Sequence, residues 1–182
     1  MARNTIFRSA HDLGLSAWFG GTLANAVSLN AAASAADSAA GSGAVVNAGW
    51  DRWTPVNAAA IGAHLVGSVG LIAGNADRLR NQRGVATMAT VKTVLTVAAL
   101  GVTARSRMLG RTISEHGAVP VESGTAPAAT TPAPVAAAQK QLATLQWVIP
   151  ALTGAIVVVS AFAGEQQRAS EVAKGVLGRV RH

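Results

Sequence analysis

Trp147–Gly164, WVIPALTGAIVVVSAFAG, runs for eighteen residues without a charge. About 20 helical residues cross a hydrocarbon core of ~30 Å, so a run of this length predicts a transmembrane helix. It has company. Pro55–Asn75 reads the same way, and so does Val85–Ala104 apart from Lys92. His11–Ala32 is a fourth, more polar stretch, diluted by His11, Asp12, Asn25 and Asn30. Together these runs predict an all-α, integral membrane four-helix bundle with spans at about 10–32, 55–75, 85–104 and 147–164.

Composition agrees. Hydrophobic residues make up 50% of the 182-residue chain and charged residues only 13%, about half the share of a soluble domain. Much of the apolar content is Ala and Val with 19 Gly, a mix that lets helix backbones approach closely in lipid. The absence of Cys excludes disulfides, thiolate chemistry and Cys-ligated zinc or iron–sulfur centres. The net charge of +7 would suggest nucleic acid in a soluble chain. Here the cations flank apolar runs, which predicts membrane topology and no nucleic-acid partner.

Between the runs, residues 33–53 read as a small-residue loop with Trp50 and Trp53 at the membrane interface. Thr54 and Pro55 then suit the N-cap and first position of the second span. Residues 112–138, with SGTAPAATTPAPVAAA, read as a disordered, flexible linker between the third and fourth helices. Gln139–Gln146 reads as a short helical lead-in. Residues 165–182 form a basic tail in which Val172, Val176 and Leu177 fall on one side of an amphipathic helix. A cleaved leader is the competing reading of the first segment, with Arg3 and Arg8 ahead of it and AAASA at 31–35.

Cation placement predicts orientation. With both termini cytoplasmic, the inner side carries Arg3, Arg8, Arg78, Arg80, Arg83, Arg168, Lys174, Arg179 and Arg181. The outer side carries Arg52, Arg105, Arg107, Arg111 and Lys140. The bias predicts a multi-pass plasma-membrane protein with its N- and C-termini inside.

Polar groups inside a bilayer are costly and default to functional hypotheses. His11, Trp18, Thr22 and Asn25 share one helical face. Asn57, His64, Ser68 and Asn75 make a second stripe, and the two should face each other. Interhelical hydrogen bonding is the simpler role for such residues, at ~0.6–2 kcal/mol a contact. Cofactor ligation by His11, His64 and Lys92 is the sharper one, with haem b as the cofactor. Counting helical rise from the inner face puts His64 about 18 Å deep and His11 within a turn, about 15 Å apart in depth. A haem ligated by both is therefore not expected. Lys92, roughly 10 Å in, snorkels, pairs with Asp12, or instead ligates or binds an anionic group. Asp12 and His11 are helical neighbours pointing about 100° apart, so they are not expected to pair. Gly20 and Gly21 on the first segment and Gly70 and Gly74 on the second are helix-packing positions, for contacts within the chain or with a partner. No catalytic motif and no metal-ligand motif is present in the sequence.

HDLGLSAWFGG, His11–Gly21, with the span layout and Trp53–His64, resembles a family of small four-span membrane proteins of high-GC Gram-positive bacteria. It is remotely similar to the CopD-like copper-resistance group and to the haem-binding membrane protoporphyrinogen oxidases. In the latter a His and a Lys of membrane helices matter, and the resemblance implies that role for His11 and Lys92. The nearest resemblance implies no particular activity.

The function expected from the sequence is that of a non-enzymatic accessory protein, in contact with the lipid bilayer and packing with itself or in a larger membrane complex. Haem or metal handling is the alternative.

Overall fold

The computed structural model describes residues 4–82, 84–117 and 119–165, and the basic tail at 166–182 lies outside them. Among the described residues the chain is helical. Helix α1 is Thr5–Ala24; it runs on through a π-helical turn, Asn25–Leu29, then Asn30–Ala32 and a 3₁₀ turn, Ala33–Ala35. Helix α2 is Ala39–Gly74, α3 is the short Ala76–Asn81, α4 is Val85–Glu115 and α5 is Ala133–Glu165.

The four-helix, four-span expectation is therefore corrected. The described residues form five helices, and three of them, α2, α4 and α5, are long and apolar enough to cross a membrane. Their contact with a bilayer makes this a multi-pass membrane protein. Helix α1 does not reach that hydropathy, because its polar residues sit within the segment that would have to span. It is held instead by packing: His11, Gly14, Leu15, Trp18 and Thr22 are buried against α2 and α5.

The helices outrun their predicted ends. Residues 39–53, expected in a loop, belong to α2. The cap is Ser38, whose Oγ accepts from the Gly41 N–H at 3.1 Å, and Pro55 lies inside the helix. At 36 residues, α2 is about 54 Å long, roughly 24 Å more than a hydrocarbon core. Arg105, Arg107 and Arg111 likewise continue α4 rather than ending it. Gly84, at φ 86°, turns the chain into α4 in a conformation that side chains rarely adopt.

The linker expected at 112–138 is also corrected. Its first residues finish α4 and its last begin α5. The turn between them is tied down through backbone and side-chain polar groups. The Val121 N–H donates to the Ala39 carbonyl at 3.1 Å, and the Glu122 N–H to that of Ala126 at 2.9 Å. The Ser123 carbonyl accepts from Gln139 Nε2 at 3.2 Å, and Val121 is buried. Proline limits the freedom such a turn loses on folding, so few contacts suffice to order it.

Asn30 joins four pieces of the chain at this end. Its Nδ2 donates to Gln146 Oε1 on α5 at 2.8 Å. Its Oδ1 accepts from Trp50 Nε1 on α2 at 3.2 Å, and its carbonyl from the Gly124 N–H at 3.1 Å. The apolar core lies below, where Leu15 and Trp18 of α1 meet Ala99 of α4 and Ile149 and Ile156 of α5. Large apolar side chains such as Val69, Val94, Val97 and Phe162 face outward, each at least 60% exposed. That inside-out distribution suits lipid.

The antiparallel contact of α1 with α2 is made at glycines. A Cβ at Gly14 would run into the backbone of Ala60 and His64, and one at Gly67 into the backbone of Phe7 and His11. Gly14→Ala is expected to lower stability by about 1–3 kcal/mol through overpacking. Gly20→Ala, where a Cβ meets nothing within 4 Å, should be neutral or better. Thermal unfolding in detergent measures both; equal effects would mean that the close approach is not needed. Asn30→Leu should cost about 1–3 kcal/mol by leaving Trp50 and Gln146 without their partner.

Candidate functional site

The α1–α2 contact brings His11 and His64 together. Their ring centroids are 4.6 Å apart at an interplanar angle of 46°, and the Trp18 ring lies 6.0 Å from His64. All three are sealed in: His11 is 1% exposed, His64 0% and Trp18 0%. The two predicted polar stripes thus meet at these residues, but the separation of about 15 Å in depth is overturned. The expected depth treated His11 as lying within a turn of the inner face. The helix begins at Thr5, and Asn4 sits beside Gly74 at the far end of α2. His11 and His64 are then seven and ten residues from that level, a difference of about 4.5 Å of helical rise.

His11 Nδ1 donates to Asp12 Oδ1 at 2.7 Å. Adjacent residues on a helix do diverge, but both groups are short and close to the backbone, and the rotamers bring them round. This corrects the expectation that the pair would not form. His11 Nε2 has no partner among the described residues. His64 Nε2 reaches Thr96 Oγ1 on α4 at 3.4 Å, a long contact that links two helices which otherwise hardly approach each other.

That seam between α2 and α4 holds two cavities, one toward each end. The first, about 330 Å³, is lined by Arg8, His11 and Asp12 of α1, Leu65 and Ser68 of α2, Arg78 of α3, and Lys92, Thr96 and Leu100 of α4, with Ser160 and Gly164 of α5 closing it. Arg78 is held by Gln82, its Nε and Nη2 donating to Oε1 at 3.0 and 2.9 Å. Burial, and then the charge of Arg8, lower its pKa from the ordinary arginine value; the guanidinium stays charged. The second cavity, about 210 Å³, lies by Trp50, Trp53, Asn57, Thr103, Ser106 and Arg107.

Lys92 is half-buried on the wall of the first cavity, which it shares with Asp12. The packing glycines are spent inside the chain: a Cβ at Gly21 would meet Trp53, one at Gly70 would meet Phe7, and one at Gly74 would meet Asn4. Gly20 faces open space. Gly14 and Gly67 make the closer contacts and were not singled out by spacing, because neither belongs to the GxxxG pattern of Gly70 and Gly74. Thr96 and Arg8 were also missed. A threonine in an apolar helix and an arginine ahead of one carry no signal until a second helix places them.

Haem does not fit the histidine pair. Two axial ligands approach iron from opposite faces with the macrocycle between them, and rings in mutual contact leave no such slot. His64 adds nothing to the cavity wall. Among the described residues no three His, Cys, Asp or Glu side chains gather to hold a metal ion. Comparison with known proteins finds no matching family model, no matching curated protein and no matching solved structure.

The detergent-purified protein is expected to show no Soret band, oxidised or reduced. A band that His11→Ala or Lys92→Ala removes would overturn this. Trp18→Ala should cost about 3–5 kcal/mol, as truncation of a fully buried large aromatic does, and shift thermal unfolding accordingly.

Proposed function

We propose that this is a non-catalytic protein of the plasma membrane that acts by binding, as an accessory component whose α2–α4 seam takes up an apolar or amphiphilic molecule. The observation that carries the proposal is the seam itself. Two apolar membrane helices stand apart, and a cavity of about 330 Å³ between them has polar and charged groups on its wall. A polar surface at that depth in a bilayer is costly unless something covers it. Binding sites of membrane bundles lie between helices for this reason. Packing with a second copy through Gly70 and Gly74 has no support, since Phe7 and Asn4 already occupy them.

The end that carries Arg8, Arg78 and Arg80 is the cytoplasmic one in this reading, by the positive-inside rule. Asn4 lies beside Gly74, and Gly164 lines the same cavity as Arg8. Both ends of the described chain are thus on that side.

Native mass spectrometry from mild detergent tests the binding. The expected result is a chain that retains or takes up one lipid-sized molecule, with uptake reduced in Ala89→Phe, which fills the cavity wall. An empty chain that takes up nothing would sink the proposal. Orientation is tested in the Cys-free chain with a membrane-impermeant thiol reagent on intact cells. Ser123→Cys should be labelled and Asp77→Cys should not; the reverse would invert the topology.

A further inference from the structure

We infer that the second cavity, at the other end of the α2–α4 seam, holds the compact anionic head of a long-chain amphiphile, a carboxylate or a phosphate, with Arg107 as its partner and the tail lying in the seam. The inference rests on the seam being a binding site and adds where the head sits and what it is.

Two helical stripes face each other across this cavity. Trp50, Trp53 and Asn57 line it from α2, and Thr103, Ser106, Arg107 and Gly110 from α4. Spacings of three and four keep each set on one face of its helix. The two helices hardly approach each other, and the stripes do not bond across the gap. Trp53 Nε1, Asn57 Oδ1, Thr103 Oγ1 and Ser106 Oγ are buried without a partner among the described residues. Those four atoms are enclosed by their own surroundings, so an occupant does not touch them. They show that α2 and α4 do not complete one another at this level.

Arg107 is the group that an occupant meets. It is half-buried on the cavity wall. Among the described residues it makes no hydrogen bond or ion pair, and no Asp or Glu lines the cavity. The neighbouring cations of α4 are placed differently. Arg105 Nη2 donates to Gln141 Oε1 at 2.6 Å, and Arg111 is exposed. One guanidinium is therefore set into the gap without a counter-charge. A charge partly withdrawn from water is costly until it is paired. The planar fork of arginine matches a carboxylate or a phosphate.

Depth supplies the tail. Arg107 lies about 33 Å of helical rise from Val85, the start of α4, which is one hydrocarbon thickness. Trp50 and Trp53 share its cavity, and tryptophan favours that level of a membrane. Toward the middle of the bilayer the wall turns apolar, with Ala58, Ile61 and Ile149. A free anion would leave that part uncovered. The cavity, about 210 Å³, has room for a small head and its first methylenes, so a long chain continues along the open seam.

The test is a titration of the full-length protein in mild detergent, read by native mass spectrometry. The probes share one chain and differ in the head: oleate, oleyl phosphate and oleyl alcohol, with acetate and inorganic phosphate as free anions. Oleate or oleyl phosphate should bind at least ten-fold tighter than oleyl alcohol, and the tighter of the two names the head. Arg107→Gln should remove that preference and Arg107→Lys should keep part of it. Arg111→Gln, a charge change outside the cavity, should leave it intact. Arg107 has no protein partner to lose, so its variants are expected to fold. Gly110→Leu, where a Cβ meets nothing within 4 Å, should fill the gap and weaken all three chain-bearing probes. Oleyl alcohol binding as tightly as the anions of the same chain would overturn the anionic head and leave the seam standing as a binding site. A preference that Arg107→Gln leaves in place would do the same. Acetate or inorganic phosphate binding as tightly as the amphiphiles would overturn the tail. No uptake of any probe would overturn both proposals.

Discussion

The backbone contact between α1 and α2 at Gly14 and Gly67 is the constraint on which the rest depends. It puts the backbones of Phe7, His11, Ala60 and His64 where any side chain at those two glycines would collide. Helix α1 is too polar to be held by hydropathy alone, and this contact, with the burial of Leu15 and Trp18, keeps it in the bundle. Small residues work this way in lipid, where dispersion and hydrogen bonding replace the hydrophobic effect as the force between helices. The same approach closes the His11–His64 pair and shapes one wall of the larger cavity. The histidine cluster is thus a consequence of packing before it is anything else.

The opposite side of the bundle behaves differently. Helix α1 packs on α2 and α5, and α5 packs on α4, but α4 does not return to α2. The ring of helices stays open there, bridged by the long His64–Thr96 contact. In water such a seam would collapse on its apolar residues. In a bilayer, lipid tails solvate those residues, and the groups that need covering are the polar ones, Lys92 among them. An occupant of the seam, as proposed, would have to satisfy both kinds of surface.

Much of the fold was readable from residues. The apolar run at Trp147–Gly164, the low charge and the Arg clusters between runs specify membrane helices, since a bilayer imposes a long, local and uncharged pattern. Helix ends were not readable in the same way. Trp50 and Trp53 read as loop residues at an interface, and Thr54-Pro55 as a helix start, yet the same signals are equally at home inside a helix that extends beyond the hydrocarbon. The Pro- and Ala-rich stretch carried a composition typical of linkers, yet its backbone groups find partners in Ala39, Asn30 and Gln139. Ala39 and Asn30 lie far away in sequence, so no local pattern announces them.

By itself, the sequence determined that the chain is helical, that it enters a membrane, and which residues are too polar to face lipid. Each of these follows from local chemistry: hydropathy over a window, the need to satisfy backbone groups in an apolar medium, and the cost of a buried charge. Only the tertiary structure decided which polar residues meet. The relative depth of His11 and His64 depends on where α1 begins and how α2 slides against it. The gathering of Arg8 and Asp12, Arg78 and Lys92 around one cavity depends on three helices at once. Register between helices is set by close contacts at a few glycines, and a one-turn error moves every facing pair by about 5 Å. That quantity is absent from any single segment, so the site emerges only when the segments are packed.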